Sequence, residues 1–145
     1  MSQTDVQLVR AYFEDLDRAL ASYSRSPDVP FADTPDGKRL RERLHPEVVW
    51  RPPFPTEEEF RGYDGITRAL AVWSEAVEDW RITVVDLVDA GGGWALGTLR
   101  IHTRGRESGA AVDQTLFTVF EVRDGQIVLI EDHLDRPEAL EAAGL

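Results

Sequence analysis

The sequence predicts an α+β domain in which helices from the N-terminal half cover one face of a curved antiparallel sheet. Three observations carry this. First, two helical stripes precede residue 81: Val9, Phe13, Leu16, Leu20 and Tyr23, then Ile66, Leu70, Trp73, Val77 and Trp80, each at steps of three and four. Second, the stretch from Trp94 to Arg136 reads WALGTLRIHTR, GRESG, AAVDQTLFTVFEVR, DG and QIVLIEDHLDR. That is three strands joined by two hairpins. Third, the chain closes on a short helix, EALEAAGL, with a capping box from Asp135 to Glu138, Pro137 near its first turn and Gly144 at its end. Helices first and strands later define the α+β class, and a curved sheet under three helices leaves a conical cavity.

The remaining elements follow from local signals. Thr4 and Gln7 form a capping-box pattern that opens the first helix. Tyr12 flanks that helix's stripe, where it either packs in the core or faces a pocket. Ser24–Gly37 holds three prolines, three aspartates and a glycine, so it reads as irregular chain, either a lid or a surface insertion anchored by Phe31. Lys38–Leu44 reads as a short basic helix ended by His45 and Pro46, and Glu47–Arg51 as a strand stopped by a proline-rich run. Asp64 is placed to cap the third helix. Ile82–Asp89 reads as a strand that turns through Gly91, Gly92 and Gly93 into Trp94.

Composition narrows the function. The chain of 145 residues fits one domain, residues 1–145, with one sizeable core. A hydrophobic content of 42% opposes disorder. A net charge of -11 opposes nucleic-acid and anionic-membrane partners, because phosphates would be repelled. With no cysteine there is no disulfide, thiolate metal site or cysteine nucleophile. No signal-peptide pattern and no membrane-length apolar run is present, so a cytoplasmic protein is expected. There are no internal repeats.

The element order, LHPEVVWRP before RGYDGITRAL, VRDGQIVLIED at the last hairpin and LDRPEALEAAGL at the end together resemble the nuclear transport factor 2-like superfamily, and within it the SnoaL-like domains. The resemblance spans nearly the whole chain and rests on fold motifs more than catalytic ones. It implies a cone with an apolar pocket, frequent dimers through the sheet, and activities that include polyketide cyclases, steroid isomerases, epoxide hydrolases and dehydratases, beside members that only bind. In the ketosteroid isomerases a carboxylate base precedes the proline that ends the first strand; Arg51 stands there in this chain. Their acid on the penultimate strand falls near Phe117 or Thr118. A steroid-isomerase mechanism is therefore not expected. Limonene epoxide hydrolases carry Arg-x-Asp on a middle strand and an aspartate seven residues after the hairpin glycine. Here those positions read Arg100-Ile101-His102 and Asp132, counted from Gly125.

On this resemblance Asp132, Arg100 and His102 form the candidate catalytic set, with Asp132 the acid/base group, Arg100 its orienting partner and His102 its proton partner. Arg100 and His102 share a strand face. The alternative is a solvated outer face with an ordinary cross-strand pair. The last hairpin leaves the register open. A two-residue Asp124-Gly125 turn puts Phe117 on the face of Asp132; a three-residue loop with a glycine bulge puts Leu116 and Thr118 there. Asp132 is expected inward and His133 outward on the family parallel. Asp113 either reaches the pocket or meets solvent.

The candidate substrate-binding residues are Trp50, Arg51, Trp73, Tyr12 and Phe117. Trp50 and Arg51 alternate, so one of them faces the cavity; Arg51 either binds an anionic group or pairs with one of Glu57 to Glu59. Trp73 is core by its stripe, or a pocket wall. His102, Asp132 and His45 are the conceivable metal ligands, but no ligand spacing supports a site, so no metal and no cofactor are expected. The expected partners are a small apolar molecule and a second copy of the chain. The readings carried forward are a cofactor-independent isomerase, cyclase or epoxide-hydrolase type enzyme acting on an apolar polyketide- or terpene-like compound, a non-catalytic binder of such a ligand, and, weakest, a protein–protein module.

Overall fold

The computed structural model describes residues 3–25, 28, 33–53 and 59–145. The elements are α1 (Gln3–Arg25), α2 (Pro35–Arg43), β1 (Leu44–Arg51), β2 (Phe60–Arg61), α3 (Gly62–Ala76), β3 (Val77–Gly91), β4 (Trp94–Gly105), β5 (Ala111–Arg123), β6 (Gln126–His133) and α4 (Arg136–Ala142). The class is the predicted one: α+β, with an unclosed, curved six-stranded sheet in the order β2-β1-β6-β5-β4-β3. All neighbours pair antiparallel except β1 with β6, which run parallel.

Helix α1 buries Val9, Phe13, Leu16 and Leu20 of the anticipated stripe, with Tyr12 and Ala19 beside them, while Tyr23 is partly buried against the same core. Its other anchor is polar. Asp15 is 1% exposed; it accepts from Arg43 of α2 at 2.8 Å and also pairs with Arg18. Asp17 accepts from the Ile82 amide at 2.7 Å, so α1 is also tied to the backbone of edge strand β3. Helices α1, α2 and α3 share one core with the inner sheet face, including Leu40, Ile66, Leu70, Leu99, Leu116, Phe120 and Ile130. Helix α4 lies on the opposite face. There Leu96 and Val119 pack with Ala139 and Ala143, flanked by Trp94, Phe117 and Leu140.

Several boundaries differ from the sequence reading. Helix α1 has already formed at Gln3, so Thr4 does not precede it, and it continues through Ser24 and Arg25. Thr34 caps α2, accepting from the Gly37 amide at 2.9 Å, with Pro35 in the first turn; the segment up to Gly37 is thus partly helical. His45 and Pro46 lie inside β1, which begins at Leu44. Residues 26–27 and 29–32, on which the lid reading and Phe31 fall, and 54–58 lie outside the described residues. Arg61, not Asp64, occupies the cap position of α3. That helix stops at Ala76, so Val77 and Trp80 leave the predicted stripe and join β3. Pairing of Val77 with Gly105 and Glu78 with Arg104 overrides the helical period.

The sheet bends where pairing slips. Strand β3 has three such places against β4, between Glu78 and Arg81, Val84 and Asp86, and Asp89 and Gly91. At its far end Gly93 approaches the Val122 carbonyl so closely that a Cβ would sit 2.7 Å from the oxygen. At the last hairpin Asp124 (φ 50°) and Gly125 (φ 76°) form the two-residue turn, both left-handed as a type I′ turn requires. Arg123 then faces Gln126 and Val122 faces Ile127, but Glu121 faces Leu129. Val128 is thus an extra residue in β6, a bulge that reverses the parity of everything beyond it.

Candidate active site

That reversal decides which residues meet Asp132. Beyond Val128, Phe120 faces Ile130, Val119 faces Glu131 and Thr118 faces Asp132. Asp132 therefore points inward and His133 outward. Of the two alternatives the turn is the two-residue one, yet the face set is the one expected for the longer loop: Leu116 and Thr118, with Phe117 on the far side.

Asp132 is 9% exposed. Its Oδ1 accepts from the Thr118 hydroxyl at 2.6 Å and its Oδ2 from Trp50 Nε1 at 2.8 Å. Trp50 reaches it because β1 pairs in parallel with β6, setting Trp50 beside Ile130. Its indole is braced by Trp73, edge-on with ring centroids 5.1 Å apart, and by Phe60, tilted against it at 5.5 Å. Burial pushes the Asp132 carboxyl above the usual carboxylate range, because the charged form loses water. The Thr118 and Trp50 hydrogen bonds oppose this, as they favour the charged form. Tyr12 is raised too, chiefly by burial and next by the charge of Asp132, so its phenol stays protonated.

Asp132 and Tyr12 open on a cavity of about 70 Å³. Phe13, Leu16 and Leu20 of α1 form one wall, Ile66 and Leu70 of α3 another, and Leu99, Ile101, Leu116 and Ile130 the sheet side, with Trp50, Trp80 and Ile82 at its margins. Among the described residues that line it, Asp132 and the Tyr12 phenol are the titratable groups. It can hold an apolar molecule and present one carboxyl and one phenol to it.

The sequence-derived set does not assemble. Leu99 and Ile101 line the cavity, so Arg100 and His102, between and beyond them on β4, face the other way. Arg100 is exposed. His102 Nδ1 lies 2.8 Å from Asp113, on the exposed outer side, which also settles Asp113 toward solvent. Neither bonds to Asp132. The alternation of a strand separates them from the cavity by one residue. Phe117 faces His133 across the outer side and packs beside α4. Arg51 is exposed as well: it donates to Glu59 at 2.7 Å and to Glu131 at 2.9 Å, the structural alternative weighed for it. Of the substrate-binding candidates, Trp50 and Tyr12 line the cavity. Trp73 lines a neighbouring depression and braces Trp50. Thr118 and Trp80 were not among the candidates. Thr118 was legible only as one branch of the register choice, and Trp80 was concealed by its apparent place in a helix. Among the described residues no group of three His, Asp or Glu is arranged to hold a metal ion. No helix among them is long and apolar enough to cross a membrane.

The family model of the SnoaL-like domain matches residues 29–130. The chain belongs to the SnoaL-like domain family. Solved structures place this SnoaL-like domain among NTF2-like folds. An NTF2-like protein of unknown function from Burkholderia pseudomallei is 18% identical, with all of both chains covered and a TM-score of 0.68. TerC, co-crystallised with polyporic acid, is 15% identical over 99% of this chain and 100% of its own, with a TM-score of 0.70. A Xanthomonas campestris pv. campestris protein provisionally named a polyketide cyclase is 17% identical over 97% of each chain, with a TM-score of 0.67. At these identities the likeness is one of fold. No curated protein matches the chain.

Proposed function

We propose that this SnoaL-like domain is a cofactor-free acid/base enzyme, of the isomerase, cyclase or epoxide-hydrolase type, acting on a small apolar polyketide- or terpene-like molecule in the Asp132 cavity. The observation that carries the reading is the state of that carboxyl. It is buried beside an apolar cavity and held by two neutral donors, Thr118 and Trp50, with no arginine or lysine among the described residues bonded to it. A carboxyl with a raised pKa is a stronger base than an exposed one and carries its proton closer to neutral pH. It can take a proton from an activated C–H or O–H of the ligand and return it to another atom. Tyr12 can donate a hydrogen bond to the oxygen on which negative charge develops. Positioned proton transfer contributes about 10²–10⁴-fold in rate. TerC's co-crystallisation with polyporic acid supports a small organic ligand for this cavity by analogy of fold alone.

The test is a panel of epoxides, enones and polyketide-like enols followed by mass spectrometry, with Asp132→Asn in parallel. Turnover that falls at least about a hundredfold in the variant is expected. Full activity of Asp132→Asn on any substrate so found overturns the assignment.

A second reading, a non-catalytic binder, is favoured by one observation. Both Asp132 oxygens already accept a donor, and Tyr12 is the sole other titratable group among the described residues of the lining. A ligand that co-purifies with the wild type and is released from it unchanged would select it. We also propose a homodimer through the part of the outer sheet face that α4 leaves open, where Val49, Val128 and Leu129 sit among Arg51, Glu121 and Arg123. A cytoplasmic location belongs to the same proposal and is checked by cell fractionation.

A further inference from the structure

We propose that Trp80 divides one ligand site into two compartments, and that its indole N–H donates to an acceptor oxygen of the ligand. This rests on the reading of the Asp132 cavity as the ligand site and names what that ligand carries. The inner compartment is the cavity of about 70 Å³ that Asp132 borders. The outer one is a depression of about 270 Å³ between α3 and the ends of β4 and β5, bounded by Trp73, Ala76, Val77 and Val112. Trp80 and Ile101 line both. The inner cavity alone is well below the roughly 300–1,000 Å³ of a site for a drug-sized molecule. A ligand of polyketide or terpene size must extend past Trp80.

Two features single out this residue. Its Nε1 is buried and, among the described residues, has no hydrogen-bond partner. Among the described residues the one other buried side-chain polar atom in that condition is Ser74 Oγ, and Ser74 lines neither compartment. An unpaired buried donor is rare and unfavourable, and an acceptor brought by a ligand removes the deficit. The residue before it, Asp79, has φ 56°, a left-handed conformation that L side chains seldom adopt, at the place where β3 slips by one residue against β4. That slip starts the alternation Trp80, Ile82, Val84 that packs against the core while Arg81 and Thr83 stay exposed. The ligand is therefore an apolar body with a hydroxyl or enol for Asp132 and a carbonyl or ether oxygen for Trp80.

The probes are 4-hydroxyacetophenone, which carries both groups, and 4-ethylphenol, which lacks the acceptor. Calorimetry on wild type, Trp80→Phe and Asp132→Asn gives the affinities. Spectra of protein with ¹⁵N-labelled indoles follow the Trp80 N–H, assigned by its loss in Trp80→Phe. The expected result is a roughly three- to tenfold weaker affinity of Trp80→Phe for the ketone, unchanged affinity for the ethylphenol, and a Trp80 N–H resonance that moves only with the ketone. Equal losses for both probes, a resonance unmoved by bound ketone, or binding of neither probe overturns the inference. Asp132→Asn separates it from the reading it rests on. If the carboxyl signal that this variant identifies as Asp132 stays unmoved by either bound probe, the Asp132 reading falls, whereas the Trp80 claim is judged on the difference between probes. If Trp80→Phe fails to fold, the Trp80 resonance is assigned as the one retained in each of Trp50→Phe, Trp73→Phe and Trp94→Phe, and its shift in wild type decides.

Discussion

Thr118 and Asp132 face each other across β5 and β6, and the Thr118 hydroxyl donates to the carboxyl at 2.6 Å inside the protein. The pair exists because Val128 bulges out of β6. Without the bulge Phe117 would stand there and the carboxyl would lose one of its two donors. Thr118→Val keeps the shape and removes the hydroxyl. A stability loss of about 1–3 kcal/mol is expected in urea unfolding, together with a further rise of the Asp132 pKa, since a donor to the charged form is gone.

Trp50→Phe removes the second donor and loosens the contacts with Trp73 and Phe60. Its expected cost is at least that of Thr118→Val. In the Asp132→Asn background the cost of Thr118→Val should shrink, because a hydrogen bond between the hydroxyl and a neutral amide is weaker than one to a carboxylate. A double-mutant cycle of the two changes measures the coupling.

Stability should depend on pH through Asp132 with a definite sign. Its folded pKa is raised by burial, so between the unfolded value of about 3.9 and the raised folded value the native state binds more protons than the unfolded chain. The contribution is fully present below the unfolded value and is lost as pH rises through the folded one. Relative to Asp132→Asn, the wild type should lose melting temperature across that window as pH increases. Parallel scans that stay a constant distance apart would contradict this.

Arg100→Ala and His102→Ala should leave ligand affinity and turnover within about twofold, as changes on the outer sheet face away from the cavity usually do. A tenfold loss in either would mean that the outer face takes part. Asp15→Asn, by contrast, should cost about 1–3 kcal/mol by leaving Arg43, Arg18 and Arg39 without their shared acceptor between α1 and α2. The loss should persist in high salt, since Asp15 is buried and poorly screened.

What the sequence made legible was local. The α1 stripe, the Asp124-Gly125 turn, the glycine turn before Trp94 and the Asp135 cap, which accepts from the Glu138 amide at 3.1 Å, each depend on neighbours a few residues away. The parallel pairing of β1 with β6 joins residues about eighty apart, and nothing near Trp50 announces it. Trp80 stands at helical spacing from Trp73 and at strand spacing from Ile82, and sheet pairing chose between them. Phe117 looked like a cavity-side residue because the seven-residue helix that packs on its face, α4, lies beyond the strands in sequence. Arg100 and His102 went to the wrong side for the same reason. With apolar residues on both faces of β4, alternation alone does not say which face is inside. Asp132 was placed inward by its resemblance to a family pattern, and the Val128 bulge that puts Thr118 opposite it left no mark in the sequence.

The central claim is that Asp132 is a buried carboxyl with a raised pKa at the edge of the cavity. A ¹³C-detected titration of the Asp side-chain carboxyls, with the Asp132 signal assigned by its loss in Asp132→Asn, measures this directly and needs no substrate. A midpoint clearly above the usual aspartate value of about 3.9, moving again when 4-hydroxyacetophenone is added, is the result predicted. A midpoint at or below that value, unmoved by the ligand, would contradict the account.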